Sequence, residues 1–111
     1  MVLINIESLE EFEGYLNNSG NKLIVVDFTA HWCGPCKMIG PTFEAAANDP
    51  DYADVIFLKV DVDECQEVSM KCEINCMPTF HCYRNGKRQA ELSGANVEKL
   101  KELIKSQSKQ Q

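Results

Sequence analysis

The chain has 111 residues, enough for one domain and too few for two. Its 44% hydrophobic and 25% charged residues suit a fold that needs no disulfide or metal staple, so a single domain over residues 1–111 is expected. The formal net charge of −6 excludes nucleic acid and anionic membrane as principal partners, since both demand clustered Lys and Arg.

VLINI (2–6) alternates weakly and predicts a short strand. Ser8 and Glu11 form a capping box that opens a helix, Leu9, Phe12 and Leu16 supply its apolar face, and Asn17 to Gly20 end it. LIVVDFTA (23–30) is a β-branched and aromatic run of the kind buried on both faces, interrupted by Asp27. Cys33 to Ala47 reads as a helix with a kink at Pro41, and 48–54 reads as a loop. VIFLKVDV (55–62) predicts a second buried strand, after which Asp63 is placed to cap a helix. Strands 78–84 and 87–93 flank Asn85-Gly86, a hairpin signal, and Val97, Leu100, Leu103 and Ile104 stripe a last helix before a polar, frayed tail over 105–111. The order βαβαβαββα implies parallel pairing of helix-separated strands, an antiparallel final hairpin, and a three-layer α/β/α sandwich on a mixed five-stranded sheet.

MVLINIESLEEF lacks a basic n-region and a small-residue cleavage site, and no stretch nears the ~20 apolar residues of a membrane span. A cytoplasmic protein without membrane partners is expected, with nuclear entry or unconventional secretion left open. In a reducing compartment the six cysteines are no disulfide framework, so each is catalytic, metal-binding, regulatory or buried.

Trp32-Cys33-Gly34-Pro35-Cys36-Lys37 sits where a buried strand passes into a helix. A helix N-terminus offers unpaired N–H groups and the positive end of the macrodipole, which lower the pKa of a thiol at Cys33 below about 8.5. Two intervening residues let Cys33 and Cys36 meet across the first turn, and Pro35 is tolerated near a helix start. Half of a zinc site is the competing reading. Yet no second C-x-x-C follows, Cys72, Cys76 and Cys82 are spaced by four and six, and His31 and His81 are the only histidines, so no metal site is predicted. Asp27 within an apolar strand is costly unless paired, and burial should raise its pKa. Lys59 in the neighbouring strand is either its charge partner or a lysine reaching solvent.

WCGPCK after VVDF, with KCEINCMPTF and SGAN downstream, resembles the thioredoxin family, specifically its animal cytosolic type, over nearly the whole chain. The resemblance implies a general protein-disulfide reductase, an electron carrier of cell redox homeostasis. Cys33 would attack a substrate disulfide and Cys36 would resolve the mixed disulfide. Asp27 would take the Cys36 proton, with Trp32, Gly34, Pro35, Lys59 and a cis Pro78 as support. Trp32, Met77, Pro78, Gly94 and Ala95 would line the substrate groove. No cofactor would be bound: thioredoxin reductase would return electrons from NADPH to the Cys33–Cys36 disulfide. Peroxiredoxins, ribonucleotide reductase and methionine sulfoxide reductase are the clients the family implies. The protein would be a monomer, with a disulfide-linked dimer through Cys76 left open.

Cys65 and Cys72, seven apart on a predicted helix, have Cα atoms about 10 Å apart, beyond the ~7 Å reach of a disulfide unless the helix melts. They are either inert or regulatory, and Cys76 beside the Met-Pro loop is a regulatory candidate. Cys82 alternates with Phe80 as a packed small hydrophobe. His31 departs from the small polar residue the family places before the tryptophan. An imidazolium there would favour the Cys33 thiolate, and a passive surface residue is the alternative. A redox-gated binding module stands as the alternative function. A secreted isomerase type is disfavoured by Gly34-Pro35 between the cysteines.

Overall fold

The computed structural model describes residues 3–110. In chain order it contains β1 (Leu3–Asn5), α1 (Leu9–Asn18), β2 (Ile24–Thr29), α2 (Gly34–Ala47), β3 (Ile56–Asp61), α3 (Gln66–Lys71), β4 (Thr79–Arg84), β5 (Lys87–Ser93) and α4 (Val97–Ser108). The strands form one mixed sheet in the order β1-β3-β2-β4-β5. β1, β3 and β2 run parallel, while β4 is antiparallel to both β2 and β5. The pairing expected of helix-separated strands therefore fails once: α3 separates β3 from β4, yet β4 returns antiparallel on the far side of β2.

Every residue of β2 is buried, because helices cover both faces of the central strand. Side chains alternate across it. Ile24, Val26 and Phe28 join Phe12 of α1, Val68 of α3 and Leu58 and Val60 of β3 in one core. Val25 joins Ile39 and Phe43 of α2, Phe57, Phe80 and Leu100 and Ile104 of α4 in the other. Burying one such side chain contributes roughly 1.5–3 kcal/mol, so the two apolar faces dominate the stability of the sandwich. The same alternation points Asp27 to the α2 face.

Local signals hold with informative exceptions. Ser8 Oγ accepts from Glu11 N at 3.1 Å, but the Glu11 carboxylate accepts from Glu7 N at 2.8 Å, one residue before the cap. Cys33 is the N-cap of α2 rather than its first turn, and the helix runs through Pro41 to Ala47 as one element. Within the 48–54 loop, Pro50–Tyr52 forms a single 3₁₀ turn. Asp63 does not cap α3: Cys65 stands at that N-cap without a side-chain bond, and Asp61 Oδ1 instead accepts from Asp63 N and Glu64 N at 2.8 and 3.1 Å. Asn85 (φ 55°) and Gly86 (φ 76°) both occupy the left-handed region, which the tight hairpin turn requires. The tail expected to fray from 105 stays helical to Ser108, tied by Arg84 Nη2 donating to Gln107 O at 2.8 Å. Val2 and Gln111, parts of the predicted strand and tail, lie outside the described residues.

Candidate active site

Where β2 ends, a turn closed by Cys33 N to Ala30 O at 3.1 Å hands the chain to α2. Cys33 keeps an extended backbone (φ −92°, ψ 112°) and its Sγ accepts from Cys36 N at 3.2 Å. A helix leaves its first N–H groups unpaired, so here one of them is aimed at a sulfur, where it stabilises negative charge. Gly34 and Pro35 fill the first two helical positions, where a missing N–H costs little. Cys33 and Cys36 are joined as a disulfide with Cα atoms 5.3 Å apart, inside the ordinary range. The two cysteines are buried almost equally, at 6% and 4% exposure. What separates the two sulfurs is their surroundings: Cys33 faces the loop before β4, and Cys36 lines a cleft with Asp27.

Met77-Pro78 is a cis peptide bond, and the Met77 carbonyl oxygen lies 3.9 Å from Cys33 Sγ. Met77 packs against the small cluster of Ala30, Cys33 and Cys36. Gly94 N donates to Pro78 O at 2.9 Å, and its φ of +97° admits glycine with least strain. Trp32 is 62% exposed, so it is no core residue, and its indole Nε1 donates to Asp63 Oδ2 at 2.6 Å. Ala95 is half-buried on the α4 side. The fold thus brings Trp32, Cys33, Met77, Pro78 and Gly94 to one end of the sheet.

A cleft of about 370 Å³ opens on the α2 side, lined by Asp27, Cys36, Lys59, Lys37, His31 and Asp61 among others. Asp27 is 3% exposed and its Oδ1 has no hydrogen-bond partner in the protein. Burial pushes its pKa up to about 7, against the lowering charge of Lys59. Lys59 pairs with Asp27 in the parallel register, so both side chains share a face, and Lys59 is itself exposed. Lys59 therefore reaches solvent while its charge acts on Asp27 without a direct ion pair among the described residues.

Among the remaining cysteines, Cys65 and Cys72 bracket α3 and are buried in the α1/α3 core. Cys65 Sγ donates to Ile6 O at 3.1 Å, and Cys72 Sγ lies 3.6 Å from Tyr83 Oη. Burial is the main reason that both thiols are raised above the ordinary cysteine range. Cys82 is fully buried and pushed up to about 12 by desolvation, a packed small hydrophobe as predicted. Cys76 is exposed beside Met77. Among the described residues, no three His, Cys, Asp or Glu side chains converge as metal ligands, and no helix is long and apolar enough to cross a membrane.

Two site residues escaped the sequence reading. Asp61 was not singled out, yet its Oδ2 lies 3.3 Å from Nδ1 of His31, and Asp63 braces Trp32 rather than capping α3. The available signal was the D-x-D at the carboxyl end of a buried strand, where side chains of an α/β sheet meet a site.

The thioredoxin family model matches residues 4–106. The thioredoxin of the catfish Ictalurus punctatus is 54% identical over 93% of this chain and 96% of its own, and that of Gallus gallus 51% identical over 92% and 95%. The chain belongs to the thioredoxin family. Solved thioredoxins agree in architecture: that of Malassezia sympodialis superposes with a TM-score of 0.90 at 40% identity, covering 97% of this chain and 95% of its own. That of Plasmodium falciparum gives 0.86 at 44% identity, covering 93% and 97%. With the Cys33–Cys36 pair in place, this thioredoxin-family chain is a thiol–disulfide oxidoreductase.

Proposed function

We propose that the protein is a general protein-disulfide reductase working through Cys33, Cys36 and Asp27. The observation that carries this reading is the closed Cys33–Cys36 pair at the start of α2, with Cys33 Sγ facing the Met77 carbonyl of the cis-proline loop. The Cys33 thiolate, favoured by the Cys36 N–H and the helix end, attacks one sulfur of a substrate disulfide. A Cys33–substrate bond forms and the other substrate sulfur leaves as thiolate. Cys36 gives its proton to Asp27 and attacks Cys33 Sγ. The second substrate sulfur leaves, the Cys33–Cys36 disulfide closes, and two electrons have passed to the substrate. Asp27 suits this part because burial holds it near neutrality, where it can both take and return a proton.

Trp32, Met77, Pro78, Gly94 and Ala95 form the docking groove, in which an extended substrate segment pairs with the Met77 backbone as an added strand. Gly34, Pro35 and Lys59 support the dithiol. Thioredoxin reductase, drawing on NADPH, returns the disulfide to dithiol in the cytoplasm. Peroxiredoxins, ribonucleotide reductase and methionine sulfoxide reductase are the clients that family membership favours.

The test is NADPH-coupled reduction of insulin disulfides with a thioredoxin reductase. Turnover is expected from the native chain and lost in Cys33→Ser and Cys36→Ser, with Cys36→Ser trapping mixed disulfides. The exposure of Cys76 beside the groove favours a second role, a redox-gated binding module. A folded, reducible native protein without turnover would replace the reductase reading by that one.

A further inference from the structure

The proton that Asp27 takes must leave a buried site. Asp27 and Cys36 are 3% and 4% exposed and form the floor of the α2-side cleft. Its rim is made of exposed or half-exposed charged groups: Lys59 on β3, Lys37 and Glu44 on α2, and the His31 and Asp61 pair. The His31 side chain is 74% exposed, while Asp61 is 19% exposed and anchored by two backbone N–H groups through its other oxygen. The cleft thus joins a buried carboxylate oxygen without a partner and a buried sulfur to an Asp–His pair whose imidazole is exposed to solvent.

The lining groups differ in what they can do with a proton. Lys37 and Lys59 are ammonium groups with no acceptor near neutrality. Burial would raise the Asp61 carboxyl, but the N–H groups of Glu64 and Asp63 and the His31 contact hold it below the usual range, so it stays ionised. Glu44 is an exposed carboxylate on α2. Histidine is the one lining side chain that both accepts and donates near neutral pH. Nδ1 of His31 lies 3.3 Å from Asp61 Oδ2, and in the tautomer that donates an N–H to this carboxylate the Nε2 lone pair is left open.

We propose that His31 is the proton port of the dithiol site, passing to bulk water the proton that Asp27 receives from Cys36, and that Asp61 is the positioning residue that orients its ring. This rests on Asp27 as acceptor. The Cys36 S–H bond breaks as an Asp27 O–H bond forms. The proton then crosses solvent in the cleft to Nε2 of His31, and the imidazolium releases a proton to bulk. No electrons move in this step, and the carboxylate and imidazole are regenerated.

The experiment mixes the fully reduced protein with insulin in one turnover, quenches with acid, and follows the mixed disulfide by intact mass from pH 5.5 to 8.5. At pH 7 in dilute buffer, His31→Gln is expected to resolve the mixed disulfide about tenfold more slowly. Added imidazole should restore the rate, and potassium chloride of equal ionic strength should not. Asp61→Asn keeps an oxygen for the Asp63 and Glu64 N–H groups but offers His31 a donor, so it should show a weaker form of the same defect. Wild-type rates in His31→Gln at every pH, or a slow rate that imidazole leaves unchanged, would overturn the port. Asp27→Asn is run alongside. If it resolves at the wild-type rate, the acceptor assignment fails and the port as stated falls with it. If it is slow while His31→Gln is normal, only the port fails.

Discussion

Asp27→Asn should convert a buried liability into a measurable stability difference. The folded protein raises Asp27 from 3.8 to about 7. A raised carboxyl pKa means that the native state holds a proton the unfolded chain has already lost. The stability this proton confers is full below the unfolded pKa of ~3.9 and fades as pH rises through the folded value. Integrated from pH 5 to 8, the loss is about 2.5 kcal/mol, a large share of a domain's typical ~5–15 kcal/mol. The wild-type pH profile alone will hide it. Buried His81 is lowered from 6.5 to about 4 by desolvation first and Arg88 second, so it adds about 2 kcal/mol over the same window with the opposite sign. His81 pairs with Val26, the neighbour of Asp27, and so lies on the other face of the sheet. The two groups should act independently, and subtracting wild type from variant cancels His81. Urea unfolding of the oxidised proteins, followed by circular dichroism at pH 5, 6, 7 and 8, gives that difference. It should shift by about 2.5 kcal/mol toward Asp27→Asn as pH rises. A difference that stays constant across the window would refute the argument.

His81→Gln should behave as the mirror image: a depressed pKa confers stability that is lost as pH falls, so relative to wild type the variant gains about 2 kcal/mol between pH 7.5 and 5 in the same unfolding assay. Identical acid limbs would show that His81 is not neutral in the core. Gly86→Ala forces a side chain onto a residue at φ +76°, facing Leu16 O at 3.6 Å, and should cost about 1 kcal/mol in the urea midpoint. An unchanged midpoint would rule out the strained turn. Alkylation of the reduced protein, read by mass spectrometry, should label Cys76 well before Cys65 and Cys72, with Cys82 labelled only on unfolding, since burial pushes it up to about 12. Native Cys82 reacting as fast as Cys76 would contradict that packing.

Patterns of short range were legible in the residues alone. An apolar run broken only by Asp27 marked β2, Asn85-Gly86 marked the hairpin, and two cysteines separated by two residues at a strand-to-helix junction marked the chemistry. Each depends on contacts within a few residues, which local sterics and hydrogen bonding determine. Asp27 was conspicuous for the same reason, as a charge inside an apolar strand. The reversal of β4 was not legible, because strand direction depends on which side of β2 is open once β1 and β3 have paired. Asp63 illustrates the limit most clearly: a residue at a helix entrance reads as a cap, but Trp32, 31 positions earlier, offered an indole N–H that β2 and β3 brought within 2.6 Å. The pairing of His31 with Asp61 across 30 positions has the same origin. Sequence determined which groups the chain carries and how each behaves beside its neighbours. Tertiary structure decided which distant groups meet, because only the parallel register of β2 and β3 sets their ends side by side and removes the water between them.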